Sequence, residues 1–197
     1  MNYLAHAYLS FMHDEILVGN LISDFVKGKK KFDYPVLIQK GITLHRAIDA
    51  YTDDHPATKQ ARQFFKPTVG LYAGAFIDVV YDHFLALHEA TWNALPLHQF
   101  ADHVYQTLTK HELQLPEKFS GMLPYMKSQN WLLNYQYKWG IERSFEGVAR
   151  RAVYLNNSTA AYNSFEAHYP QLHQLANEFL PDVKKFAAFN FQQLLQS

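Results

Sequence analysis

The sequence predicts an all-α fold, a single helical bundle domain over residues 1–197, on three observations. Apolar residues recur at helical spacing along most of the chain, and no stretch alternates apolar and polar residues for the length of a strand. Prolines at 35, 56, 67, 96, 116 and 170 fall where helices should start or stop. With 197 residues, 48% hydrophobic and 16% aromatic, the chain can bury one substantial core.

Asp14 is positioned to cap a helix from about Glu15 to Lys27, with Gly28 at the usual stop. Pro35 opens the next helix, which runs to about Thr52 before "DDHP" breaks it. A third, long helix begins at Thr68 or Gly70 and continues through about Trp92. Further helical stretches cover about 97–110, 117–134, 139–153 and 159–195, with breaks at Asn156 and around Pro170 and Pro181.

Lysine plus arginine and aspartate plus glutamate both number 18, so no global charge draws the chain to nucleic acid or a membrane surface. The absence of cysteine excludes disulfides and thiolate metal sites and leaves imidazole and carboxylate as side-chain ligands. The first residues, "MNYLAHAYLSFMHDE", lack a cationic start and are interrupted by His6, His13 and Asp14, unlike a signal peptide. No uninterrupted apolar run approaches the ~20 residues of a membrane span. The expectation is a soluble, cytoplasmic protein with neither nucleic acid nor membrane as partner.

Three helices nevertheless carry ionisable residues on faces that read as buried. In "EILVGNLISDFVKG", Asn20 and Asp24 share a narrow polar strip on an otherwise apolar helix. In "GITLHRAIDAYTDDHP", His45, Asp49 and Asp53 lie four apart beside Ile42, Leu44 and Ile48, and Asp49 can orient the His45 ring. In "YAGAFIDVVYDHFLALH", Asp78 and Asp82 sit among large apolar residues, where a carboxylate needs a partner, a proton or a cation. Solvated faces, a His–Asp surface pair and an ion pair to Arg46 are the structural alternatives. A divalent metal held between the three helices, with His6 contributing from the N-terminal segment, is the simplest common explanation. Imidazole with several carboxylates suits Mn2+, Fe2+ or Mg2+ rather than structural zinc.

The fragments "MNYLAHAYLS", "GNLISDFVKG", "GITLHRAIDAYTDDHP" and "DVVYDHFL", continued by "QNWLLNY" and "GVARR", together resemble the acyl carrier protein phosphodiesterase family, a divergent branch of the HD-domain phosphohydrolases. The resemblance covers roughly residues 1–151. It implies an all-α, manganese-dependent hydrolase that removes 4′-phosphopantetheine from holo-acyl carrier protein. Ser23 stands where the HD dyad has histidine, so the resemblance carries Asp24 over as a metal ligand, with His6 as the first histidine and His45 replacing the missing imidazole. Asp78 resembles the closing aspartate, and Asp82 or His83 are the alternatives for that role.

Such chemistry needs a charge-neutralising Lewis acid, a deprotonated water and help for the leaving alkoxide. Asp49 or His45 is the proton acceptor in this reading, Lys27 and Arg46 hold phosphate oxygens, and His83 protonates the leaving serine oxygen. The run "KGKKKFD" offers Lys29, Lys30 and Lys31 as a docking patch for an acidic carrier protein, which Lys59, Arg62 and Lys66 would extend. Two other functions fit the same residues: an HD-type phosphohydrolase of nucleotides or other small phosphoesters, and a non-catalytic helical binding protein.

Overall fold

Helical periodicity wins over almost the whole chain because its breakers are confined to element ends. The computed structural model describes residues 1–196, and among these the chain forms eleven α-helices and no strand. They are α1 (Tyr3–Tyr8), α2 (Asp14–Ile22), α3 (Val36–Asp54), α4 (Pro56–Val69), α5 (Ala73–Leu87), α6 (Leu97–Lys110), α7 (Glu117–Ser128), α8 (Trp131–Asn134), α9 (Lys138–Arg151), α10 (Thr159–Ala167) and α11 (Tyr169–Gln196). The all-α expectation is met.

The closest helix pair is α2 against α3, and two glycines make it so. A Cβ on Gly19 would stand 2.1 Å from the Ile38 carbonyl oxygen, and one on Gly41 would stand 2.3 Å from that of Ile16. Only hydrogen at both positions lets the two backbones meet, which brings Asn20 of α2 beside His45 of α3.

Helix α5 runs through the core, with Phe76, Ile77, Val79, Val80 and Tyr81 all buried. Helix α11 lies along α3, α4 and α5, so the C-terminal helix belongs to the same core. The Tyr81 ring stacks on Phe179 of α11 at 4.3 Å, while its hydroxyl pairs with Thr58 of α4 at 2.9 Å. A buried phenol keeps both its apolar body and its polar tip satisfied in this way.

Several boundaries differ from the sequence expectations. Helix α2 ends at Ile22 and tightens into a 3-10 turn over Ser23–Phe25, so Asp24 leaves the α-helical strip it was expected to share with Asn20. Asp14 is the first helical residue and caps nothing; its carboxylate accepts from Lys110 and Thr107 of α6. Helix α4 was not anticipated, although Ala57, Ala61, Phe65 and Val69 form a buried stripe at four-residue spacing and Pro56 occupies the first turn, where a missing N–H costs nothing. The third predicted helix is shorter than expected, Ala73–Leu87, because Gly70 takes a left-handed φ of 55° before it. Asn130 at φ 45° separates α7 from α8. Pro181, by contrast, lies within α11 without ending it.

Within Pro56–Leu87 an 18-residue window reaches a mean hydropathy of 1.2, the length and apolarity of a membrane-crossing helix, but 67% of that window is buried inside the fold. Pro56–Leu87 is two core helices joined at Gly70.

Candidate metal centre

Helices α1, α2 and α3 converge on one cluster. His6 comes from α1, while His45 and Asp49 stand one turn apart on α3, where four-residue spacing places them on the same face. The two imidazoles stack with centroids 3.9 Å apart and an 18° tilt. His45 Nε2 lies 3.0 Å from Asp49 Oδ2, and His6 Nε2 lies 3.2 Å from Asp49 Oδ1. His6, His45 and Asp49 each offer a donor atom within 4.8 Å of the others, a group able to hold a metal ion. Asp24 Oδ1 reaches His45 Nε2 at 3.2 Å from the mouth of the cluster, its side chain 78% exposed.

Asn20 sets the proton positions on both rings. Its Nδ2 donates to the His6 carbonyl at 2.9 Å and to Ser10 Oγ at 3.0 Å, which turns its Oδ1 toward His6 Nδ1 at 2.7 Å. That oxygen can only accept, so His6 carries its proton on Nδ1 and presents an Nε2 lone pair. The backbone oxygen of the same Asn20 accepts from His45 Nδ1, also at 2.7 Å. His6 Nε2 is buried with no hydrogen-bond partner. A buried lone pair facing a carboxylate calls for a cation or a proton between them, and rings fixed through Nδ1 are how proteins aim imidazole at metals. The donor set therefore fits a divalent metal.

Charges at the cluster are unequal. Burial, with the nearby charge of His45, lowers His6 to about 4 and keeps it neutral. Burial also opposes charge on His45, but its hydrogen bonds to Asp24 and Asp49 prevail and raise it to about 9. The bond to His45 holds Asp24 below the usual carboxylate range. Burial opposes charge on Asp49, but its contacts with His45 and His6 and the Met1 α-ammonium prevail and hold it far below that range. That ammonium lies 3.3 Å from Asp49 Oδ1 and 3.1 Å from Asp78 Oδ1. Burial disfavours its charge, yet Asp78 and Asp49 raise it to about 11.

The other residues singled out in the sequence occupy different places. Asp78 meets the cluster only through Met1. Asp82 is fully buried and accepts from the N–H groups of Leu4 at 2.7 Å and Ala5 at 3.2 Å, which caps the first turn of α1. Burial pushes Asp82 up to about 7 against the pull of those two bonds. His83 lies outside the cluster, with Nδ1 donating to the Tyr135 carbonyl at 2.7 Å and Nε2 accepting from the Tyr169 hydroxyl at 2.8 Å. Arg46 donates to the Val26 carbonyl at 2.9 Å rather than pairing with Asp78 or Asp82. Lys27, Lys29 and Lys30 are exposed, and the Lys31 ammonium rests over the Phe32 ring at 5.1 Å. Lys59 and Arg62 pair with Asp54 and Asp53, so their charge is already met.

The chain matches the acyl carrier protein phosphodiesterase family over residues 1–183. It belongs to that family. It is 36% identical over 188 residues to the acyl carrier protein phosphodiesterase of Klebsiella pneumoniae (strain 342), covering 95% of this chain and 97% of that protein. The acyl carrier protein phosphodiesterase of Photorhabdus laumondii subsp. laumondii is 34% identical over 185 residues, 92% of each chain. That of Yersinia pestis is 34% identical over 191 residues, 95% of this chain and 97% of that protein. No solved structure matches.

Family membership reaches well into α11, beyond the motifs that suggested it. In this acyl carrier protein phosphodiesterase family member, sequence reasoning missed the part played by Asn20 and Ser10. A polar residue at a position whose neighbours Leu17, Val18 and Leu21 are all buried was the available signal.

Proposed function

We propose that this chain is a metal-dependent phosphodiesterase that hydrolyses 4′-phosphopantetheine from holo-acyl carrier protein, leaving apo-acyl carrier protein. The observation that carries the reading is the pair of imidazoles whose Nδ1 protons are spent on Asn20, with both Nε2 atoms aimed at Asp49. His6, His45 and Asp49 would hold the metal, with Asp24 at the open side; Mn2+ is the proposed ion, and Mg2+ or Fe2+ suit the same donors. A bound divalent ion would supply Lewis acidity and a more acidic water.

The chain's own residues do the rest. Asp24, ionised and open to solvent, is placed to take the proton of an attacking water. The water oxygen forms a new bond to phosphorus, the bond from phosphorus to the carrier's serine oxygen breaks, and the proton ends on that oxygen. The products are the serine hydroxyl and 4′-phosphopantetheine. Arg46, anchored through the Val26 carbonyl, and Lys27 flank the Asp24 turn and would hold the non-bridging oxygens. Lys29, Lys30 and Lys31, on the next 3-10 turn, would meet the acidic carrier protein. A cytoplasmic location accords with such a substrate.

The test is a mass spectrum of holo-acyl carrier protein before and after incubation with the protein and Mn2+. The expected result is loss of the phosphopantetheine mass, abolished by chelation and by Asp49→Asn. An unchanged carrier protein would exclude this function, and cleavage of small phosphoesters alone would replace it with a small-molecule phosphohydrolase.

A further inference from the structure

A cavity of about 310 Å³ opens where the start of α1 meets α8 and α9. Asn2 and Tyr3 line it, and His6 follows Tyr3 by three residues on α1. At 1.5 Å of rise per residue the cavity begins roughly 5 Å along α1 from the candidate metal centre. The Tyr3 ring packs against Trp131 of the cavity lining at 6.4 Å, and its hydroxyl donates to Met122 Sδ at 3.8 Å. Burial raises the Tyr3 phenol to about 12, with the charge of Arg151 lowering it and that of Asp24 raising it.

The lining has a mixed character suited to an amphipathic chain. Trp131 and Trp139 supply flat apolar faces, and Asn2 and Asn134 supply amide donors and acceptors. Arg143, Arg150 and Arg151 also line it, are exposed, and form no ion pair among the described residues. The Arg143 guanidinium lies over the Trp139 ring at 5.3 Å. Clefts of a few hundred Å³ with apolar walls and a few polar groups are the usual form of small-molecule sites.

We propose that this cavity receives the pantetheine portion of the substrate's arm while its phosphate lies at the His6, His45 and Asp49 cluster. This inference rests on the functional reading above. Pantetheine is a neutral chain with two secondary amides, a hydroxyl, a gem-dimethyl carbon and a terminal thiol. Its amides need partners of the Asn2 and Asn134 type, and its apolar parts need a face such as indole. The free guanidiniums favour approach of an anionic phosphodiester to a chain of zero net charge.

Gly147 allows the cavity to be filled without disturbing the fold. It lies within α9 on the cavity wall, and a Cβ there meets nothing nearer than Arg150 Nη2 at 3.9 Å. Gly147→Leu also improves helix propensity. The experiment measures steady-state hydrolysis of holo-acyl carrier protein and of a chromogenic phosphodiester lacking any arm, each with and without free pantetheine as competitor. Wild-type protein should be inhibited competitively by pantetheine on the carrier substrate. Gly147→Leu should raise KM for holo-carrier by at least about tenfold, lose pantetheine inhibition and keep its rate on the armless diester. Trp139→Ala should shift the same two readouts in the same direction. A folded Gly147→Leu protein with unchanged KM and unchanged pantetheine inhibition overturns the inference and leaves the function standing. Wild-type protein that cleaves the armless diester but never holo-carrier overturns both.

Discussion

Asn20 does at residue scale what charge alone cannot: one side chain and its own carbonyl fix the proton on two imidazoles. Asn20→Ala should therefore weaken Mn2+ binding by about 10–100-fold, as loss of a partner that orients a metal ligand does. It should also lower stability by about 1–3 kcal/mol, because Ser10 and the His6 carbonyl lose a buried donor. Metal titration and urea melts read these separately, and normal metal affinity would remove Asn20 from this role. His83 gives a prediction in pH. Burial lowers its pKa despite the bond to the Tyr135 carbonyl, with Lys138 and His173 lowering it and Glu166 raising it. Its folded pKa is below the unfolded value of about 6.5, so the unfolded state takes up the proton first. The stability tied to neutral His83 is thus complete above about pH 6.5 and is lost as pH falls toward the folded value. His83→Asn keeps a donor for Tyr135 but does not titrate, so wild type should lose more stability than the variant between pH 7.5 and 5. Parallel losses would sink the idea. Residue type and spacing singled out His45 and Asp49 in sequence, with His6 from the N-terminal segment. Asp49, however, read as the group that orients His45 or takes a proton rather than as a third ligand, since spacing on one helix does not show what α1 brings to it. Asn20 was legible only as a neighbour of Asp24, because a neutral amide in a buried position gives no charge signal. Asp82 read as a ligand because nothing in its own helix shows that α1 will point two N–H groups at it.

At the scale of elements, the His6, His45 and Asp49 cluster depends on how close α2 comes to α3. The two glycines that permit the approach open the fragments "GNLISDFVKG" and "GITLHRAIDAYTDDHP", yet each reads as an interior helix residue with nothing beside it to say why it must be glycine. Their role appears only when the partner backbone is known. Gly41→Ala would drive a methyl group into the Ile16 carbonyl at 2.3 Å, with the Gly19 Cα at 2.9 Å. Backbone cannot rotate away as a side chain can, so the helices must separate. The expected cost is at least about 2 kcal/mol, with Mn2+ affinity falling in the same variant because His45 leaves the Asn20 carbonyl. A stable Gly41→Ala protein with normal metal binding would show that the contact does not position the site. Helix α4 teaches the reverse lesson. Its stripe of Ala57, Ala61, Phe65 and Val69 was present in sequence, but Pro56, Pro67 and Gly70 read as punctuation and hid a helix that tolerates proline in its first and last turns.

For the whole molecule, overall charge says nothing about a partner, since 18 cationic residues balance 18 anionic ones. What matters is where unpaired cations gather. Lys59 and Arg62 are taken up by Asp54 and Asp53, whereas Lys29, Lys30 and Lys31 form no ion pair among the described residues and follow directly on the Asp24 turn. Replacing those three lysines by glutamate would set like charge against an acidic carrier protein without touching the His6, His45 and Asp49 cluster. The expected outcome is a loss in kcat/KM on holo-acyl carrier protein on the order of 10–100-fold at low salt, through slower encounter and higher KM. The loss should shrink as ionic strength rises, because exposed charges more than about 10 Å apart are screened at 0.1 M salt. The rate on an armless chromogenic diester should stay near wild type, since a small substrate needs no protein docking face. Measuring both substrates at two salt concentrations separates docking from chemistry: equal losses on both would place the lysines in the catalytic machinery, and no loss on either would move the docking face elsewhere, with the unpaired arginines of α9 the next surface to reverse.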